Sequence, residues 1–281
     1  MFRQLFKNNP DKAEMSFFDH LEELRWHIIR SLIAVVIAAT LVFIFIRQIY
    51  NDIIMGPTHP DFITYRLLCQ IDRALHLGNK LCLQSLDIHF QNLEVSGQFM
   101  LSLTSSVVIG AIVSVPYILW EFWRFIKPAL TPKEIQYARG IVFWTSLLFF
   151  MGVSFGYFLI APYALTFFAN YRISNQFENI FTVQSYLSML SQLVIGLGCI
   201  FELPILVYFL TKIGLVTPQF LKTYRRHAIL VIVVLAAFIA PPDITSQLII
   251  AFPLYLLYEL SISISARVLK QEKEKAIQEW S

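Results

Sequence analysis

Long apolar runs separated by shorter polar stretches dominate the chain. Six stand out: Trp26–Ile46, Gln98–Trp120, Ile141–Ile160, Tyr186–Lys212, Ala228–Ala240 and Ile244–Ile264. About 20 residues at a rise of 1.5 Å cross the hydrocarbon of a bilayer. The pattern therefore predicts an all-α membrane protein with six transmembrane helices. The fifth run has 13 residues and would cover roughly 20 Å as a helix. Either the membrane thins around it or its ends lie among other helices. The expected organisation is an N-terminal segment over 1–25, a six-helix domain over 26–264 and a tail over 265–281. Within the domain, loops at 47–97 and 161–183 lie on one side, and loops at 121–140 and 212–227 on the other.

The stretch before the first span, FFDHLEELR (Phe17 to Arg25), has its own periodicity. Ser16 and Asp19 have the form of a helix N-cap. Phe17, Leu21, Leu24 and Ile28 recur at helical spacing, which predicts an amphipathic helix entering the first span. Glu22 is spaced to meet Arg25, and Glu23 to meet His27. The plain alternative is a solvated helix start whose acids favour the N-terminal dipole. Pro116 predicts a kink in the second span and Pro204 an interruption in the fourth; the sixth contains Pro253. In the 47–97 loop, a short helix is expected over Phe62–Leu77, with short strands over Leu81–Leu86 and Ile88–Val95. Pro162 marks the end of the third span, and the run Tyr163–Tyr171 reads as a loop segment at the membrane interface.

Composition and charge sharpen this picture. The 281 residues are 57% hydrophobic and 15% charged, against roughly 25% charged in average soluble domains. The first 14 residues lack the apolar core of a cleavable signal, so the first span is read as an anchor. Basic residues gather at one set of ends: Arg3, Lys7, Lys12 and Arg25; Arg124, Lys127, Lys133 and Arg139; Lys212, Lys222, Arg225 and Arg226; Arg267, Lys270, Lys273 and Lys275. The two loops on the other side hold only Arg47, Arg66, Arg73, Lys80 and Arg172. Lys and Arg mark the cytoplasmic side, so both termini are expected inside. Cys69 and Cys82 share one loop, where a disulfide is permitted if the loop faces an oxidising compartment; sequence does not decide it. Cys199 reads as a small apolar filler.

Glu202 is the residue most out of place, an acid within the fourth span next to Pro204. An ionisable residue at membrane depth faces a bundle interior or a watery cavity and marks function by default. A structural hydrogen bond to another helix is the competing explanation. Ser246 and Gln247 lie one turn into the sixth span and can bond another membrane helix; the competing explanation is simple capping of that span by Asp243. The six histidines suggest no metal site, and no hydrolase or metalloprotease motif occurs. On the residues alone, the acids before the first span read as a carboxylate site for a cationic partner, and Glu202 permits a proton-coupled small-solute transporter.

Together, FFDHLEELR, LWEFWRFIKPAL with Pro116, FELP around Glu202, YRRHAIL, and PPDITSQ followed by FPLYLLYE resemble the TatC family. That family is the multispanning subunit of the twin-arginine protein translocase, and the likeness covers nearly all of residues 16–266. It implies a concave bundle with short fifth and sixth spans in a bacterial inner membrane. It also implies binding of paired-arginine signal peptides, export of folded proteins driven by the proton gradient, and no cofactor, nucleic acid or catalytic role. The implied peptide-binding residues are Glu23, Glu134, Arg25 and Phe125. Glu202 matches an acid on the concave wall, and Gln247 with Ser246 matches a docking point for single-span TatA- or TatB-type subunits. A homo-oligomer within a receptor complex is implied as well. The chain departs from the family pattern in its long 47–97 loop, in Ala240 and in Arg124.

Overall fold

The computed structural model describes residues 17–74, 76, 89–127, 140–174, 176, 179–239 and 244–280. Long helices dominate it, and among the described residues five are long and apolar enough to cross a membrane. Helix α1 (Phe17–Ile44) runs without a break from the amphipathic stretch into the first span. Its hydroxyls return to the carbonyl four residues back, Ser31 to His27 at 2.9 Å and Thr40 to Val36 at 2.8 Å, so each sits in hydrocarbon with its donor satisfied. Leu32, Val36, Ile37, Leu41 and Ile44 are each more than half exposed. Such a stripe is stable against lipid rather than water.

After α1 the chain turns through α2 (Ile46–Ile49), a π-turn at Tyr50–Ile54 and a 3-10 turn at Gly56–Thr58 into α3 (Ile63–Ala74). These irregular turns leave backbone carbonyls without helical donors, and side-chain hydroxyls take that role. Tyr157 donates to the carbonyl of Ile53 and Tyr186 to that of Ile54, both at 2.5 Å. Tyr65 donates to Pro57 at 2.8 Å, and Thr64 to the carbonyl of Phe158. This segment, Ile46–Ala74, forms a cap that is thereby fastened to the third and fourth spans. Where a strand was expected over Ile88–Val95, only β1 (Phe90–Gln91) forms, parallel to β2 (Phe181–Thr182). The expected strand over Leu81–Leu86 lies outside the described residues. Cys69 is disulfide-bonded and Cys199 is free; Cys82 lies outside the described residues.

The second span is α4 (Gly97–Ile126), which continues through Pro116 as one helix. α1 packs along it. A Cβ on Gly110 would lie 2.5 Å from the backbone nitrogen of Ala39, so glycine is what lets the two backbones come this close. The third span departs from expectation. α5 (Ile141–Phe155) passes through a π-turn at Gly156–Ile160 into α6 (Ala161–Asn170), where a loop segment was predicted. Pro162 stands in the first turn after the π-turn; lacking an N–H, it cannot pair the carbonyl of Phe158 four residues back, and the Thr64 hydroxyl donates to that carbonyl instead.

The fourth span is broken as expected. α7 (Val183–Phe201) ends at Glu202, and α8 (Leu203–Lys212) restarts with Pro204 in its first turn. Thr182 caps α7 through its hydroxyl, which accepts the N–H of Ser185 at 3.2 Å. Gly152 of α5 meets α7 so closely that a Cβ would fall 2.6 Å from the carbonyl oxygen of Leu197. Ile160, Leu193, Leu197, Ile250 and Leu254 form the fully buried centre.

After Gly214, which takes a φ of +77°, the short α9 (Pro218–Thr223) leads to the fifth span, α10 (Arg225–Ile239). Its 15 residues span about 22 Å, against roughly 30 Å of hydrocarbon. The sixth span, α11 (Ile244–Trp280), anchors it. Nη2 of Arg225 donates to Glu259 at 3.0 Å, with Nε 2.9 Å from the other carboxylate oxygen. Tyr258 donates to the carbonyl of Leu221 at 2.7 Å, which ties α9 to the same helix. The tail over 265–280 simply continues α11.

Candidate functional site

At the end of the bundle where α1 begins and α4 ends, two polar stripes face each other. On α1, Glu23, His27 and Arg30 follow at spacings of four and three. On α4, Tyr117, Glu121 and Arg124 do the same, with Phe125 four residues after Glu121, which puts each set on one helix face. Glu121 is the centre. It is 1% exposed, yet every approach to its carboxylate is occupied. Nδ1 of His27 lies 2.5 Å from one oxygen, and the Tyr117 hydroxyl donates to the other at 2.9 Å. Guanidinium nitrogens of Arg124 and Arg30 stand 3.4 Å and 3.7 Å away. Arg124 also stacks over the Trp120 ring at 4.8 Å.

This arrangement positions the acid that the sequence singled out. His27, buried against α4, meets the ring of Phe125 edge to face with centroids 5.9 Å apart. Its Nε2 lies 3.9 Å from Glu23, whose side chain is 36% exposed. Glu23 is thus held at one side by a fixed imidazole and open at the other. Arg25 and Glu22 are exposed, and the pair expected between them does not form among the described residues. Of the predicted binding residues, the structure brings Glu23 and Phe125 together around His27. Arg25 points outward on the next face, and Glu134 lies outside the described residues.

Sequence reasoning missed Glu121, Tyr117 and Arg30 as members of this cluster. Glu121 carried a usable signal, since it is a lone acid inside LWEFWRF at the end of an apolar run.

The remaining candidates sit elsewhere. Glu202, half-buried at the break between α7 and α8, lines a cavity of about 440 Å³ with Leu119, Phe122, Trp123, Phe209 and Ile213 among its walls. One of its carboxylate oxygens is buried without a hydrogen-bond partner among the described residues. Gln247 donates to the carbonyl of Val233 at 3.2 Å and so joins α11 to α10. Ser246 is buried beside it. No cluster of three or more metal-ligating side chains occurs among the described residues.

These features define a multi-pass helical membrane protein with an ordered carboxylate site at one membrane face. A six-span bundle of this kind is also what the comparisons with known proteins return. The sequence profile of the Sec-independent protein translocase protein (TatC) family matches residues 19–253. A TatC protein of Blattabacterium from Periplaneta americana is 41% identical over 263 residues, covering 93% of this chain and 99% of its own length. The TatC protein of Aquifex aeolicus is 31% identical over 261 residues, covering 92% and 98%. Two crystal structures of the twin-arginine translocase receptor TatC superpose with TM-scores of 0.64 and 0.68 at 30% and 31% identity. They cover 89% and 88% of this chain and 99% of their own chains. The chain belongs to the TatC family. That membership does not favour a small-solute transporter.

Proposed function

We propose that this chain is the signal-peptide receptor and core subunit of a twin-arginine translocase. It binds paired-arginine signal peptides at the cytoplasmic face and takes part in exporting folded proteins, driven by the proton gradient. The observation that carries this reading is Glu23, half-open to solvent and steadied by His27 at 3.9 Å. A guanidinium engages a carboxylate through two parallel hydrogen bonds, which an ammonium cannot copy. Glu23 takes one arginine and Glu134 the second, while Arg25 and the Phe125 ring shape the surface between them. The excess of Lys and Arg at this end of the bundle supports a cytosolic location for the site and for both termini. Glu202 provides a polar point in the apolar wall for an inserted segment. Ser246 and Gln247, at the α10–α11 contact, mark where single-span TatA- or TatB-type partners dock, within an assembly containing several copies of the chain.

The test is a titration of the purified protein with a paired-arginine peptide and a paired-lysine control. Glu23→Ala weakens the arginine peptide by about 1.5–3 kcal/mol, the value of a hydrogen bond to a charged group, which is roughly 10- to 150-fold in Kd. The lysine peptide binds weakly to both proteins. Equal affinity of the two peptides, or an unchanged Kd in Glu23→Ala, overturns the assignment of this site.

A further inference from the structure

At the opposite end of the bundle from Glu23, a cavity of about 730 Å³ opens between the cap and spans two, three and four. Its size lies within the roughly 300–1,000 Å³ of pockets that hold small ligands. The wall has two distinct zones. Within the membrane it is almost wholly apolar, with Val108, Ile109 and Ile112 of α4, Val153 of α5, and Leu190 and Val194 of α7. The α4 part alone, Ser105 to Ile112, gives roughly 10 Å of depth at 1.5 Å per residue. At the rim, the cap supplies Asp52, His59 and Asp61. Arg66 stands beside the rim with Nη2 3.1 Å from Asp61. Asp52 is exposed and forms no ion pair among the described residues.

An apolar shaft under a rim bearing both signs of charge matches an amphiphile. A zwitterionic headgroup has a phosphate for Arg66 and a cationic nitrogen for Asp52, while an anionic glycerol headgroup brings only negative charge towards two carboxylates. The exposed apolar positions Ile63, Leu67 and Ile71 follow at intervals of four along α3 and put that cap helix at the membrane boundary, level with lipid headgroups. We propose that this cavity is a binding site for one phospholipid of the leaflet opposite Glu23. An acyl chain fills the shaft, and an ethanolamine headgroup sits between Asp52 and Arg66. The cap then rests on a lipid rather than on an empty space, which explains why a well-bolted segment leaves so large an apolar hollow beneath it.

The test uses the full-length protein in mild detergent, after exchange into nanodiscs of equal parts ethanolamine and glycerol phospholipid. Native mass spectrometry then counts the lipid that stays with the protein as detergent is raised. One ethanolamine lipid per chain is expected to persist, at several-fold excess over the glycerol lipid. Ser154→Trp, which projects a ring into the shaft from α5, removes the retained lipid. Asp52→Asn, an exposed change that leaves the shaft intact, abolishes the preference between headgroups. An unchanged thermal unfolding temperature identifies Asp52→Asn as folded, so that arm stands if the tryptophan variant fails to fold. Equal retention of both lipids by the unmodified protein, or a preference that survives Asp52→Asn, overturns the headgroup assignment. Absence of any retained lipid overturns the site.

Discussion

The sharpest consequence of the structure concerns the contact between His27 and Glu121, two residues 94 positions apart. Glu121 is 1% exposed, so its carboxylate depends on its protein partners. Arg124 and Arg30 are each 44% exposed at the side chain and stand at 3.4 Å and 3.7 Å. Partly solvated pairs of that kind contribute at most about 1 kcal/mol each. His27 is different: its side chain is 8% exposed and its Nδ1 approaches to 2.5 Å. His27→Leu takes away the closest partner of a buried carboxylate, and breaking such a pair from one side costs about 3–5 kcal/mol. Glu121→Leu leaves a buried imidazole without its partner and a Tyr117 hydroxyl that can turn to solvent, at about 2–3 kcal/mol. Replacing both side chains removes the contact without stranding either group. The double variant should therefore be more stable than the sum of the singles implies, by about 1.5–3 kcal/mol. Reversible unfolding of the four proteins in mixed micelles measures this coupling. Costs that add to within about 0.5 kcal/mol, the range for independent sites, would refute the claim that His27 and Glu121 act as one unit.

Two further tests address the packing and the cap. Gly110→Val forces a side chain against the α1 backbone at Ala39, where even a Cβ lies at 2.5 Å; it should lower stability by about 1–3 kcal/mol, and unchanged thermal unfolding contradicts the close crossing. Tyr65→Phe deletes the bond to Pro57 and should cost about 0.5–1.5 kcal/mol near neutrality. Burial pushes the Tyr65 phenol up to about 12, above its ordinary value of about 10. Its stabilisation is thus fully present below pH ~10 and is lost as pH rises through ~12. The gap between Tyr65→Phe and the unmodified protein should shrink across that window, and a gap that widens there reverses the assigned sign.

The fold class was legible because a bilayer imposes length and hydropathy on each span independently of its neighbours. The break at Glu202 was legible for the same local reason, since Pro204 cannot continue a helix interior. The extension of the third span to Asn170 was not. Pro162 reads as a stop when taken alone, and nothing local announces that a π-turn at Gly156–Ile160 places it in a first turn. The cap was equally opaque. Its π-turn and 3-10 turn depend on hydroxyls of Tyr157 and Tyr186, more than 100 residues away in sequence. Tertiary partners, not propensity, decide such a segment.

The candidate site shows the same division, and its geometry sorts the acids by how open each is to an incoming cation. Three carboxylates, Glu23, Glu121 and Glu202, lie near the end of the bundle where α1 begins and α4 ends, and only their surroundings tell them apart. Glu121 is already satisfied by an imidazole, a hydroxyl and two guanidiniums, so an incoming arginine would have to displace partners that burial makes costly to strand. Glu202 lies on the other side of α4, where Leu119, Phe122 and Trp123 close an apolar cavity around it. A guanidinium drawn there would lose its water with little to replace it. Glu23 has neither handicap: it keeps solvent access and one weak contact to a buried ring. The C-terminal end of α4 thus sorts its surroundings by face, with Tyr117, Glu121, Arg124 and Phe125 towards α1 and Leu119, Phe122, Trp123 and Ile126 towards the cavity. The polar face fixes the helix that carries Glu23, and of the three acids Glu23 is the one left open to solvent.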